Sequence, residues 1–76
     1  MTEKLTPNNI DTINNNMGYM ETARGKEYFE LVGITLCSVS MKDISSEAVY
    51  EFTWSKDKYE YHGFLLYIDN GVVIIG

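Results

Sequence analysis

Val49-Tyr50-Glu51-Phe52-Thr53-Trp54, a Ser55-Lys56-Asp57-Lys58 turn, Tyr59-Glu60-Tyr61-His62, then Phe64 to Ile68, Asn70-Gly71 and Val72 to Ile75 read as two consecutive β-hairpins. The run is dense in aromatic and β-branched residues and is punctuated by turn formers, which is the pattern of antiparallel strands. With a four-residue loop at 55–58, Trp54 pairs with Tyr59 and Phe52 with Tyr61, so four rings share one face. The other face then carries Glu51 opposite His62 and Thr53 opposite Glu60. A one-residue slip would exchange the faces, so the aromatic pattern holds the register.

Beyond Gly63 the alternation stops. Phe64-Leu65-Leu66-Tyr67-Ile68 and Val72-Val73-Ile74-Ile75 put apolar groups on both faces, as a central or interface strand does. Asn70-Gly71 is the strongest hairpin signal in the chain, because both residues tolerate the positive φ of a type I′ turn. Little material remains in so short a chain to cover both faces, which points to a second subunit or a partner over part of this surface.

Working toward the N-terminus, Lys42-Asp43-Ile44-Ser45-Ser46-Glu47 is a loop or a short helix capped by Asp43 or Ser45. Tyr19 to Ala23 and Lys26 to Val32 read as a hairpin turning at Arg24-Gly25. That register puts Ala23 opposite Lys26, Glu21 opposite Tyr28 and Met20 near Phe29. The second strand is expected to run on to about Met41, with a bulge or bend at Gly33. Thr6 as N-cap, Pro7 at the first helical position and the stripe Ile10, Ile13, Met17 predict a short helix over 7–16. Gly18 would end it as a left-handed C-cap. The fold class expected is α+β: this helix packed on an antiparallel sheet of four to six strands. The alternative is a small all-β barrel with a helical N-terminus.

The 76 residues allow one domain, 1–76, with residues 1–5 expected to fray. At this size only about 60% of the unfolded chain's surface is buried. Such chains often add a disulfide, a metal or a subunit. Cys37 is the only cysteine and His62 the only histidine, so neither an internal disulfide nor a metal is expected. A net charge of −5 opposes binding to nucleic acid or to anionic membrane directly. The N-terminus lacks an apolar run, so no signal peptide is expected, and a lone cysteine suits a reducing compartment; the location expected is cytoplasmic.

Candidate chemistry is sparse. Glu51, Glu60 and His62 could form a general-base or metal cluster, and equally the exposed polar face of a hairpin. Cys37 could be a nucleophile but reads better as a small buried hydrophobe. The glycines are scattered and form no phosphate loop. No catalytic, cofactor or metal site is expected.

The residues set aside for a partner are Glu21, Glu27, Glu30, Asp43, Glu47, Glu51 and Glu60, with Tyr19, Tyr28 and Tyr67. If the carboxylates shared one side they would make an acidic patch fit for a basic groove. The function expected is a non-enzymatic, acidic protein-binding module. It would be an inhibitor of phage or plasmid type that occupies a basic or nucleic-acid-binding surface of a host protein, since the composition suits an AT-rich microbial or viral genome. The alternative is a self-assembling structural subunit, a homodimer joined through its C-terminal strands.

Overall fold

The computed structural model describes residues 2–76. Eight strands follow one another: β1 (Glu3–Lys4), β2 (Met17–Thr22), β3 (Gly25–Ile34), β4 (Ser38–Asp43), β5 (Val49–Ser55), β6 (Lys58–Tyr61), β7 (Phe64–Asp69) and β8 (Val72–Ile75). Strands β2 to β7 form an antiparallel meander. Strand β8 turns back along β7 and also pairs with β2, in parallel. The sheet therefore closes into a seven-stranded barrel, and β1 lies along β7 as an eighth strand.

This overturns the α+β expectation and its N-terminal helix. Residues 7–16 hold a single 3-10 turn, Ile10–Thr12. The local reason is side-chain competition for the backbone, the habit that keeps Asn and Thr out of helix interiors. Asn9 Oδ1 accepts from the Thr6 amide (2.8 Å), the Thr6 hydroxyl from the Asn8 amide (3.2 Å) and Asn15 Oδ1 from the Met17 amide (2.9 Å). The wider reason is that the apolar residues 5, 10 and 13 have a barrel end to cover. Leu5 is fully buried, and Ile10 and Ile13 pack against the core.

Closure depends on Gly18, which sits in β2 between Phe29 and Val73 and ends no helix. A Cβ there would meet Met41 Cε at 2.8 Å and the Val73 carbonyl oxygen at 2.9 Å. Only glycine lets the two backbones approach. The first hairpin turns at Ala23-Arg24, one residue earlier than expected, so Tyr19 faces Tyr28, Glu21 faces Lys26 and Gly18 faces Phe29. Strand β3 does not reach Met41; the chain turns at 35–37. The irregularity at Gly33 is present as a register shift between Leu31 and Gly33.

The C-terminal reading holds in part: Ser55 pairs with Lys58, so the loop expected at 55–58 is a two-residue turn at Lys56-Asp57. Trp54 pairs with Tyr59, Thr53 with Glu60 and Asp69 with Val72. Asn70 and Gly71 have φ of 54° and 83°, as a type I′ turn requires. Residues 3–5, expected to fray, are paired: β1 meets Ile68 and Tyr67, and the Leu5 amide donates to the Leu66 carbonyl (2.9 Å). Of the rest of that expectation, Thr2 is exposed and belongs to no strand, and Met1 lies outside the described residues.

The core is the barrel's interior. Phe29, Val39, Met41, Phe52, Tyr59, Leu66, Ile68, Val73 and Ile75 alternate inward from six strands, joined by Leu5. The two ends of the barrel differ. Residues 4–16 cross the end that carries the β5–β6 and β7–β8 turns: Lys4 Nζ bonds Asp57 Oδ2 (3.1 Å), the Asn14 amide donates to the Gly71 carbonyl (3.0 Å) and the Leu31 amide to the Asn16 carbonyl (2.6 Å). The other end has no such plug.

Candidate functional site

The unplugged end holds a cavity of about 250 Å³. Strand alternation builds it. Phe29, Phe52 and Ile75 are the last buried inward residues of β3, β5 and β8, and they form its floor. The next inward positions, nearer the rim, are Met20, Glu27, Asp43, Tyr50, Tyr61 and Phe64. Tyr50 is central among the rings. It meets Phe29 edge-on (6.2 Å between centroids, 65° between planes) and Tyr61 edge-on (5.3 Å, 67°). Tyr61 also packs against Phe52 at 5.8 Å and 56°. Rings set steeply to one another present faces from more than one direction. Phe64 completes the wall and is 45% exposed.

Two carboxylates share this rim. Glu27 lies one inward position beyond Phe29, and Asp43 is the residue paired with Phe29. Asp43 also organises the loop that follows β4. Its Oδ1 accepts from the Ser45 hydroxyl (2.7 Å), the Ser45 amide (2.8 Å) and the Ser46 amide (3.3 Å). These bonds, the Ser45 hydroxyl first, hold its pKa below the ordinary carboxylate value. The segment expected to be a loop or a capped helix is thus a turn fastened by Asp43. A second depression of about 280 Å³ lies beside the first; Glu27 and Asp43 border both, with Lys26, Tyr28, Ile44 and Ser45 on its far side. No Lys or Arg is among the described residues lining the mouth.

The other residues singled out for a partner are scattered round the outside. Glu21 faces Lys26 across the β2–β3 pair, and Glu30 faces Lys42 across the β3–β4 pair. Glu51 lies opposite Ser40 and accepts from the Ser38 hydroxyl at 3.3 Å. Glu60 sits between Thr53 and Leu65, and Glu47 is in the β4–β5 loop with φ of 63°. The seven carboxylates therefore form no single patch. Tyr19 and Tyr28 are directly paired, and Ile74 lies between Tyr19 and Tyr67, giving an outer aromatic band across β7, β8, β2 and β3. Lys26 Nζ stands 4.4 Å from the Tyr19 ring centroid.

Two expectations about chemistry need correction. His62 is not opposite Glu51. Strand β6 ends at Tyr61, and His62 enters the turn to β7 with φ of 47°, its ring set at 79° to that of Tyr61 with centroids 4.5 Å apart. Nor is Cys37 buried: it is exposed in the β3–β4 turn, because the strand expected to carry it ends at Ile34. That turn is set by the Thr35 hydroxyl, which accepts from the Cys37 (3.2 Å) and Ser38 (3.0 Å) amides. It presents Leu36, 84% exposed, beside Val32 and Ile34.

The mouth itself was not found from the sequence. From the sequence, Phe52 and Tyr61 are only two of four rings on one face, and Glu27 and Asp43 two charges among seven. The available signal was Glu27, a carboxylate on the same side of its strand as Phe29. Strand β8 is hydrogen-bonded along both edges, to β2 and to β7. Among the described residues no helix is long and apolar enough to cross a membrane. Comparison with protein-family models, with curated proteins and with solved structures finds no match for this chain.

Proposed function

We propose that this chain is a non-enzymatic binding module that docks on a basic segment of another protein through the open end of its barrel. The observation that carries this reading is the mouth: a concave, ring-walled depression with two carboxylates on its rim and no lining Lys or Arg. Binding sites are typically concave and mostly apolar, with a few polar groups that fix orientation. Aromatic rings supply contact area at low entropic cost. The net charge of −5 favours a cationic partner and speeds encounter with it.

In this reading the module acts by occupancy. Covering a basic surface, including one that otherwise holds nucleic acid, blocks it without any reaction; an inhibitor of phage or plasmid type is the form this takes. A cytoplasmic setting belongs to the same reading and suits an exposed, single thiol at Cys37. Joining of two copies through the C-terminal strands has less support, because β8 has no unpaired edge to offer.

The test is a titration with a lysine-rich peptide and its glutamate-substituted control, followed by amide shifts at several salt concentrations. The expected result is binding of the basic peptide alone, shifts concentrated at Glu27, Asp43, Tyr50, Tyr61 and Phe64, and weakening as salt rises. Shifts confined to the outer tyrosine band, or equal binding of both peptides, would refute the reading.

A further inference from the structure

We infer that the barrel mouth is a receptor for an alkylated ammonium group, such as a methylated lysine side chain presented by the basic partner. The inference rests on the docking reading above and deepens it by naming what enters the cavity.

Size comes first. Sites for drug-sized ligands run to roughly 300–1,000 Å³. A cavity of about 250 Å³ is smaller, so it takes a head group rather than a whole cofactor. Sign comes next. Ring faces carry the negative side of the aromatic quadrupole and attract a cation placed over them. Tyr50 and Tyr61 pack on one another at 67°, so a group seated beside the pair in the cavity meets rings set in two orientations. Glu27 and Asp43 add formal negative charge at the rim. An anionic head group finds no Lys or Arg as countercharge among the described residues lining the mouth.

The degree of alkylation follows from hydration. A bare ammonium is a compact, strongly hydrated charge with three donors to satisfy. Rings cannot accept all of those bonds, so its desolvation is poorly repaid. Methyl groups spread the charge, lower the hydration cost and add apolar contact with Phe52, Ile75 and Phe64. Quaternary ammonium groups are recognised in aromatic cages for this reason. Guanidinium can stack on a ring face, but its five donors would then lack acceptors against the apolar floor of Phe29, Phe52 and Ile75.

The experiment uses the full chain and amide and aromatic shifts. Tetramethylammonium is titrated against neopentyl alcohol, a neutral probe of similar shape. Two peptides identical except for lysine or trimethyllysine at one position are then compared. The expected result is saturable shifts at Tyr50, Tyr61 and Phe64 with the cation and little with the neutral probe. The trimethylated peptide should bind tighter by roughly two- to thirtyfold, the range that cation–π attraction spans. Phe64→Ala, at an exposed position, should reduce cation binding severalfold, and Glu27→Gln should reduce it while leaving the weak response to the neutral probe unchanged.

Equal response to cation and neutral probe would overturn the inference. So would equal binding of the two peptides at the mouth, an outcome that leaves the docking reading standing. Failure of both peptides while tetramethylammonium still saturates the mouth supports the cation site and removes the docking reading.

Discussion

Gly18 and Tyr59 show how single side chains govern this barrel. At Gly18 a methyl group would press on the Val73 backbone, which cannot rotate away, and on Met41 Cε, which can. Gly18→Ala should therefore destabilise the chain by about 1–3 kcal/mol, the usual cost of overpacking, measured by urea denaturation. A neutral result would mean that β2 and β8 are not held so close. Tyr59 is fully buried, and its hydroxyl has no hydrogen-bond partner among the described residues. Burial first, and the nearby Cys37 second, raise its pKa above the usual phenol value. A buried unpaired polar group costs about 1–3 kcal/mol, so Tyr59→Phe should be neutral or stabilising. A loss above about 1 kcal/mol would show that the hydroxyl is satisfied after all. The same residue scale explains why His62 and Cys37 could not be placed from sequence. Each was put in a strand by local pattern, and each lies in a turn fixed by where neighbouring strands stop pairing.

Among the elements, the N-terminal segment contributes most beyond its own length. It adds β1 to β7 and inserts Leu5 into the core. Leu5→Ala should cost about 2–5 kcal/mol, as buried Leu truncations do. A change under about 1 kcal/mol would show that the segment is dispensable. The ion pair of Lys4 with Asp57 is a lesser fastening, since both side chains are well exposed, at 43% and 69%. The β4–β5 loop depends on Asp43. Its pKa is depressed from the ordinary 3.8 when folded, so the unfolded chain binds more protons near that pH. Its contribution is complete above the unfolded value and is lost as pH falls through the lower folded value. In Asp43→Asn, stability should fall less steeply on acidification below about pH 4 than in the parent chain. Thermal melts between pH 2 and 6 at about constant ionic strength check this, and parallel curves would contradict it.

For the whole molecule, closure takes the place of a second layer over the sheet. The two-sided apolar strands β7 and β8 were expected to need a partner. In the barrel, Leu66, Ile68, Val73 and Ile75 fill the interior, while Tyr67 and Ile74 lie half-buried outside. Sedimentation at micromolar concentration should accordingly show a monomer, and a dimer would point to the exposed Val32, Ile34 and Leu36 at the plugged end. Much of this architecture was legible in the sequence. Alternation in 49–61 determined the β5–β6 register, because a slip would put four rings in water, and Asn70-Gly71 determined the last hairpin, because few other residue pairs accept its dihedral angles. Side-chain period also determined which residues face inward. Strand neighbours across long separations were decided only in three dimensions. The parallel contact of β2 with β8 joins residues 18–20 to 73–75, and no local pattern encodes it. That contact turned Gly18 from a helix cap into a closure point, and residues 7–16 from a helix into a plug. It also left one end open, bringing Glu27 and Asp43 to the rings of β5, β6 and β7. Local sequence fixes a strand's faces through sterics and burial, whereas a site made of seven strands exists only once the sheet has closed.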